Sequence, residues 1–166
     1  FSDHQNIQDA RAEIEICDFS GKQIAKCNIN LNIVGGKAVA ITSSQNPLLS
    51  TLKTRDNYLR IAVYNQEQLL CSRAFFFERD KQLNLPEPNI QIIQNQKGDS
   101  ISIQLTSDKL ARWVVLEAEN LVFSDNYFDL LPGETRSIMA CPVSGENQSH
   151  YDISVFSLKN YGAKPN

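Results

Sequence analysis

Histidine, tryptophan and methionine are scarce: two, one and one in 166 residues. The histidines, His4 and His150, lie far apart, and the four cysteines, Cys17, Cys27, Cys71 and Cys141, form no CxxC pair. Zinc sites are built from clustered Cys and His, so no metal centre is expected. No apolar run approaches the ~20 residues of a membrane span. There is no basic stretch, and the net charge of −3 offers nothing to a phosphate backbone. Neither a membrane nor a nucleic acid is therefore expected as a partner. "VGGK", residues 34–37, lacks the flanking spacing of a phosphate loop. Ser, His and Asp all occur, but not as a nucleophile elbow. No cofactor is expected.

Strand is what the chain has in abundance. In "RAEIEIC", Ala12, Ile14 and Ile16 alternate with Glu13 and Glu15. In "CNINLNIV", Cys27, Ile29, Leu31 and Ile33 alternate with Asn28, Asn30 and Asn32. Period-two alternation describes a strand with one face in a core and the other in water. "DFSGK" between them carries the turn formers Asp18 and Gly21, which predicts a hairpin. Its register would set Cys27 opposite a residue near Glu13 rather than opposite Cys17, so the thiols are expected to be free and buried. "VGGK" predicts a turn before a short strand "AVAI", and Pro47–Lys53 could form one helical turn. "YLRIAVYN" and "LLCSRAFFF" flank the turn "NQEQ" as a second hairpin.

Residues 78–89, "ERDKQLNLPEPN", show no strand pattern and hold Pro86 and Pro88. Proline cannot donate to a ladder and biases its predecessor toward extended geometry, so this stretch reads as a stiff linker. Beyond it "IQIIQNQ", the turn "KGD" and "SISIQLTS" predict a third hairpin. "RWVVLEAE", "TRSIMACP" and "YDISVFSL" supply further strands. The expected fold is all-β: two tandem immunoglobulin-like antiparallel β-sandwiches over residues 1–85 and 86–166, each with five to seven short strands. "FSDHQN" at the start reads as a strand end entering a turn. The chain is accordingly expected to be a piece of a longer one, with its first strand cut and a sheet edge left open.

The stretch "FSDNYFDLLPGE", residues 123–134, concentrates the candidates for chemistry. Asp125, Asp129 and Glu134 invite comparison with the paired carboxylates of glycosidic acid–base work. The alternative accounts for more of the residues. Tyr127, Asp129 and Leu131 share one strand face, and Phe128 and Leu130 the other. Ser124, Asp125 and Asn126 are loop formers that bond their own backbone. Pro132–Gly133 is a reverse turn. A structural corner is therefore expected, with Asp125, Asn126, Phe128, Leu130, Pro132 and Gly133 as its motif residues and no catalytic residue. Trp113 is expected to pack, although Glu117 ends its strand face and points to partial exposure. As rivals, Trp113 and Tyr127, with Tyr151 and Tyr161, could offer a stacking platform for sugar. Phe75, Phe76 and Phe77 cannot all enter one core and suggest a domain interface.

The segment "LARWVVLEAENLVFSDNYFDLLPGETRSI" resembles the last domain of the β-mannosidases of glycoside hydrolase family 2. Ala111, Val114, Leu116 and residues 123–134 follow that pattern. "FFFERDKQLNLPEPNI" is similar to the family's connection between its two C-terminal sandwiches, and "EICDFSGKQI" to a hairpin of the preceding one. The resemblance implies a parent enzyme with a (β/α)8 barrel carrying two catalytic glutamates, releasing β-linked mannose with retention and either exported or lysosomal. The chain itself would be a catalytically inert accessory region. Its partners would be the barrel and the other domains of the parent, with carbohydrate as an alternative. A carbohydrate-binding module and an adhesion module are the rival functions. About 166 residues of strand cannot supply the barrel.

Overall fold

The computed structural model describes residues 6–35, 37–38, 40–41, 45–98, 100–143 and 151–160. The chain divides into two compact units, Phe1–Asn84 and Leu85–Asn166. Among the described residues, regular structure is antiparallel strand apart from two short 3-10 turns.

The first unit contains β1 (Ile7–Asp18), β2 (Gln23–Ile33), β3 (Asn57–Asn65) and β4 (Gln68–Phe75), in the order β2-β1-β3-β4. Four strands are thus present among the described residues, fewer than the alternation predicts. "AVAI" forms no strand at Ala38, Ala40 or Ile41, and residue 39 lies outside the described residues. The expected helical turn is a 3-10 helix at Pro47–Thr51, begun by Pro47 and capped by Asn46, whose side chain accepts from the Leu48 N–H. This geometry suits a proline whose missing donor would have no partner in a first turn. Ala10, Ala12, Ile14 and Ile16 of β1 are wholly buried, as the alternation requires. Leu48, Leu49 and Leu52 pack against Ile14, Ile16 and Leu59, so the crossover around the 3-10 helix covers one face of the sheet.

The opposite face is a charge ladder. Lys26 lies 2.9 Å from Glu13 and 3.1 Å from Glu15, and Arg11 and Arg60 reach the same two carboxylates at 3.2 and 3.3 Å. The register, Glu15 between Lys26 and Arg60, sets opposite charges side by side. Hydrogen bonding to Glu13 raises the Lys26 pKa against the opposing effect of burial, with Glu15 adding to it.

The β1–β2 hairpin closes as the turn residues dictate. Gly21 takes φ +85°, the Gly21 N–H donates to Asp18 O at 3.0 Å, and the Asp18 N–H donates to Lys22 O at 3.0 Å. Asp18 Oδ1 accepts from Ser20 N–H, Ser20 Oγ and Lys22 N–H at 2.9, 2.6 and 3.0 Å. Burial pushes the Asp18 carboxyl up, but these bonds outweigh it and its pKa falls below the usual value. A depressed folded pKa gives stability that is present above the unfolded pKa and lost as pH falls through the folded one. Asp18→Ala is therefore expected to cost about 1 kcal/mol at neutral pH. The difference from the parent should shrink in acid, as read by urea unfolding at pH 7 and pH 3. An undiminished difference in acid would remove the carboxylate from the explanation.

Cys27 faces Ile14 and Cys17 faces Gln23. All four cysteines are free, Cys17 being buried, Cys27 and Cys71 half-buried and Cys141 exposed. Burial is therefore correct for Cys17 but not for Cys141, which lies on the outward side of a strand end. Phe76 turns its ring to Tyr58 at 6.0 Å, while Phe75 and Phe77 are exposed.

The linker holds a 3-10 turn at Asp80–Gln82 and no strand. Asn84 still bonds backward, its N–H to Arg55 O and its amide to Asp56. Glu87 and Asn89 bond forward to Lys109 and Asp108.

Among the described residues, the second unit is a sandwich of seven strands. Its four-stranded sheet has the order β5-β6-β10-β8, from Ile90–Lys97, Ser100–Ser107, Thr135–Pro142 and Leu121–Phe123. Its three-stranded sheet has the order β11-β7-β9, from Ser154–Phe156, Ala111–Glu117 and Phe128–Leu130. Ile101, Ile103, Leu105 and Ile138 of the first sheet meet Val114, Leu116, Phe128 and Leu130 of the second in one buried cluster. Two inner faces interdigitating in this way are the core of an Ig-like sandwich.

Candidate functional site

The stretch 123–134 is the passage of the chain from one layer of the sandwich to the other. Phe123 ends β8, which pairs with β10, and Phe128 begins β9, which pairs with β7. Ser124–Tyr127 make the crossing. The side chains of Ser124, Asp125 and Asn126 each hold a neighbouring element. Ser124 N–H donates to Met139 O at 2.7 Å, and its hydroxyl accepts from the Met139 N–H at 3.0 Å. Asp125 accepts from the Asn126 N–H at 2.9 Å and pairs with Arg136. Arg136 in turn lies over the buried Phe128 ring at 5.0 Å. Asn126 bonds both backbone groups of Leu116, accepting from N–H at 2.8 Å and donating to C=O at 3.0 Å. The expectation that these loop formers serve their own backbone holds for Asp125. It fails for Ser124 and Asn126, which reach across to β10 and β7.

Asp129 pairs with Arg112 and accepts from the Trp113 N–H at 3.2 Å. Phe128 and Leu130 are buried as expected, but so is Leu131, which the alternation assigned to the other face. The reason lies in the next two residues. Glu134 N–H closes on Leu131 O at 3.1 Å around Pro132 and Gly133, the latter at φ +76°. Proline at the first and glycine at the second central position are the requirements of a type II turn. Gly133 N–H also reaches Ser107 O at 3.2 Å. Leu131 is thus the first residue of the turn and leaves the strand's alternation.

Trp113 is 47% exposed, which overturns its expected packing in the sandwich core. The β7–β9 register breaks between Ala111 and Val114, and Trp113 sits in that break at φ +53°. Val114, Val115 and Leu116 are all buried, so strict alternation does not describe this part of β7. Tyr127 lies beside the same ladder at φ +61°, its N–H donating to Val114 O at 2.9 Å, and is 67% exposed. The structure thus places Trp113 and Tyr127 on one hairpin-like ladder, both outside the core. Tyr151 does not join them. It is 3% exposed and packed in the core cluster, which removes it as a platform residue. Tyr161 lies outside the described residues.

A second surface was not legible from local patterns. Glu117, Ala118 and Glu119 line an open groove with Tyr151, Asp152 and Ser154. β11–β7 pairing, Ser154 opposite Glu117, brings these distant segments together. Among the described residues no group of three or more His, Cys, Asp or Glu side chains could hold a metal ion.

Residues 85–161 match the Ig-fold domain family of mannosidases. No curated protein sequence matches the chain. Among solved structures, the chain is similar to the β-D-mannosidase of Dictyoglomus thermophilum, with a TM-score of 0.65 and 19% identity over 93% of this chain and 19% of that one. It is also similar to the exo-chitosanase of Amycolatopsis orientalis, with a TM-score of 0.61 and 14% identity over 92% of this chain and 23% of that one. The chain therefore spans about a fifth of the length of these enzymes. At such identities the likeness is one of fold. The family match and the sandwich of β5–β11 identify the second unit as an Ig-fold domain of the mannosidase type, the domain of family 2 glycoside hydrolases that its 123–134 motif resembles.

Proposed function

We propose that the chain is the non-catalytic C-terminal accessory region of a β-mannosidase-like family 2 hydrolase, packing against the catalytic barrel of a longer protein. The observation that carries this reading is the mannosidase-type match over 85–161 in a chain similar to a fifth of two much larger glycosidases. The chemistry of the corner supports it. Asp125 and Asp129, the carboxylates best placed to suggest acid–base work, are each paired with an arginine and accept backbone N–H bonds. A general acid needs a free path to substrate, and both carboxylates are engaged by protein groups instead.

A sugar-binding role is the second reading, favoured by the exposure of Trp113 and Tyr127 on one ladder. Aromatic residues held at positive φ mark strain that function sometimes demands. One sample tests both readings. The chain is expected to release no chromophore from an aryl β-mannoside above a blank. Its amide spectrum is expected to stay unchanged up to millimolar β-manno-oligosaccharide. Turnover would overturn the accessory reading. Saturable shifts at Trp113 and Tyr127 would replace it with a binding module.

A further inference from the structure

We draw no further inference here: the strongest candidate, the exposed surface patch of Trp113, Tyr127 and Leu158 around β7, carries nothing, because nothing in the structure shows what covers it.

Discussion

Asn126→Ala is expected to destabilise the second unit by about 3 kcal/mol, although the residue lies in a loop. The reason is the shape of the ladder. β9 pairs with β7 only as far as Phe128 opposite Val114, so no strand follows Leu116 on that side. Asn126 stands in for the missing strand, bonding both the N–H and the C=O of Leu116. Leu116 is almost wholly buried, so water cannot easily replace those bonds. Each orphaned backbone group costs about 1–3 kcal/mol, and the variant creates two. Asn126→Asp keeps the acceptor but sets a second oxygen against the Leu116 carbonyl, so it is expected to fail as well. Trp113, the only tryptophan, sits in β7 and reports unfolding of this unit alone. Urea unfolding followed by its fluorescence measures the loss. A cost below about 0.5 kcal/mol, the range of ordinary surface changes, would show that Asn126 does not complete the ladder.

Leu105→Ala is expected to cost a similar or larger amount, about 3–4 kcal/mol, through a different mechanism. Leu105 lies on β6, between β5 and β10, and is fully buried in the cluster that joins both sheets. Removing its branched end takes away transfer free energy and leaves a cavity that paired neighbours on both sides cannot collapse into. Gln104 is the contrast, one residue away on the exposed face. Gln104→Ala is expected to stay within about 0.5 kcal/mol. Both variants are read by the same fluorescence unfolding. Equal costs for the two would mean that this strand is not sandwiched as described.

Much of the fold was legible because most strands keep one face buried. In β1 the alternation of Ala12, Ile14 and Ile16 with Glu13 and Glu15 maps directly onto core and surface. Turn chemistry was equally local. Asp18 with Gly21, and Pro132 with Gly133, close the bends their backbone preferences favour. The failures share a cause. "AVAI" has strand-forming residues, but the described ones find no ladder to join. Trp113 shares its strand face with Glu117 and lies outside the core, so on β7 the face and not the residue's size decides its exposure. The register break between Ala111 and Val114 is a separate feature that nothing in "ARWVV" announces.

The candidate site divides along the same line. That 123–134 is a corner rather than a catalytic loop could be read from its turn formers and its alternating apolar residues. Which layers it joins could not. Ser124 and Asn126 have the chemistry of local caps, and only the packing of β7 and β10 against the crossing redirects their bonds to distant backbone.

By itself, then, the sequence determined most strands, the tight turns and the buried faces, because these rest on periodicity and local backbone preference; the likeness to mannosidase sandwiches rested on the motif at 123–134. Tertiary structure alone decided the partners of Asn126, Asp125 and Asp129 and the place of Tyr127 beside the β7–β9 ladder. Those depend on which strands become neighbours and where their pairing stops, and contacts so distant along the chain leave little trace in any short stretch of it.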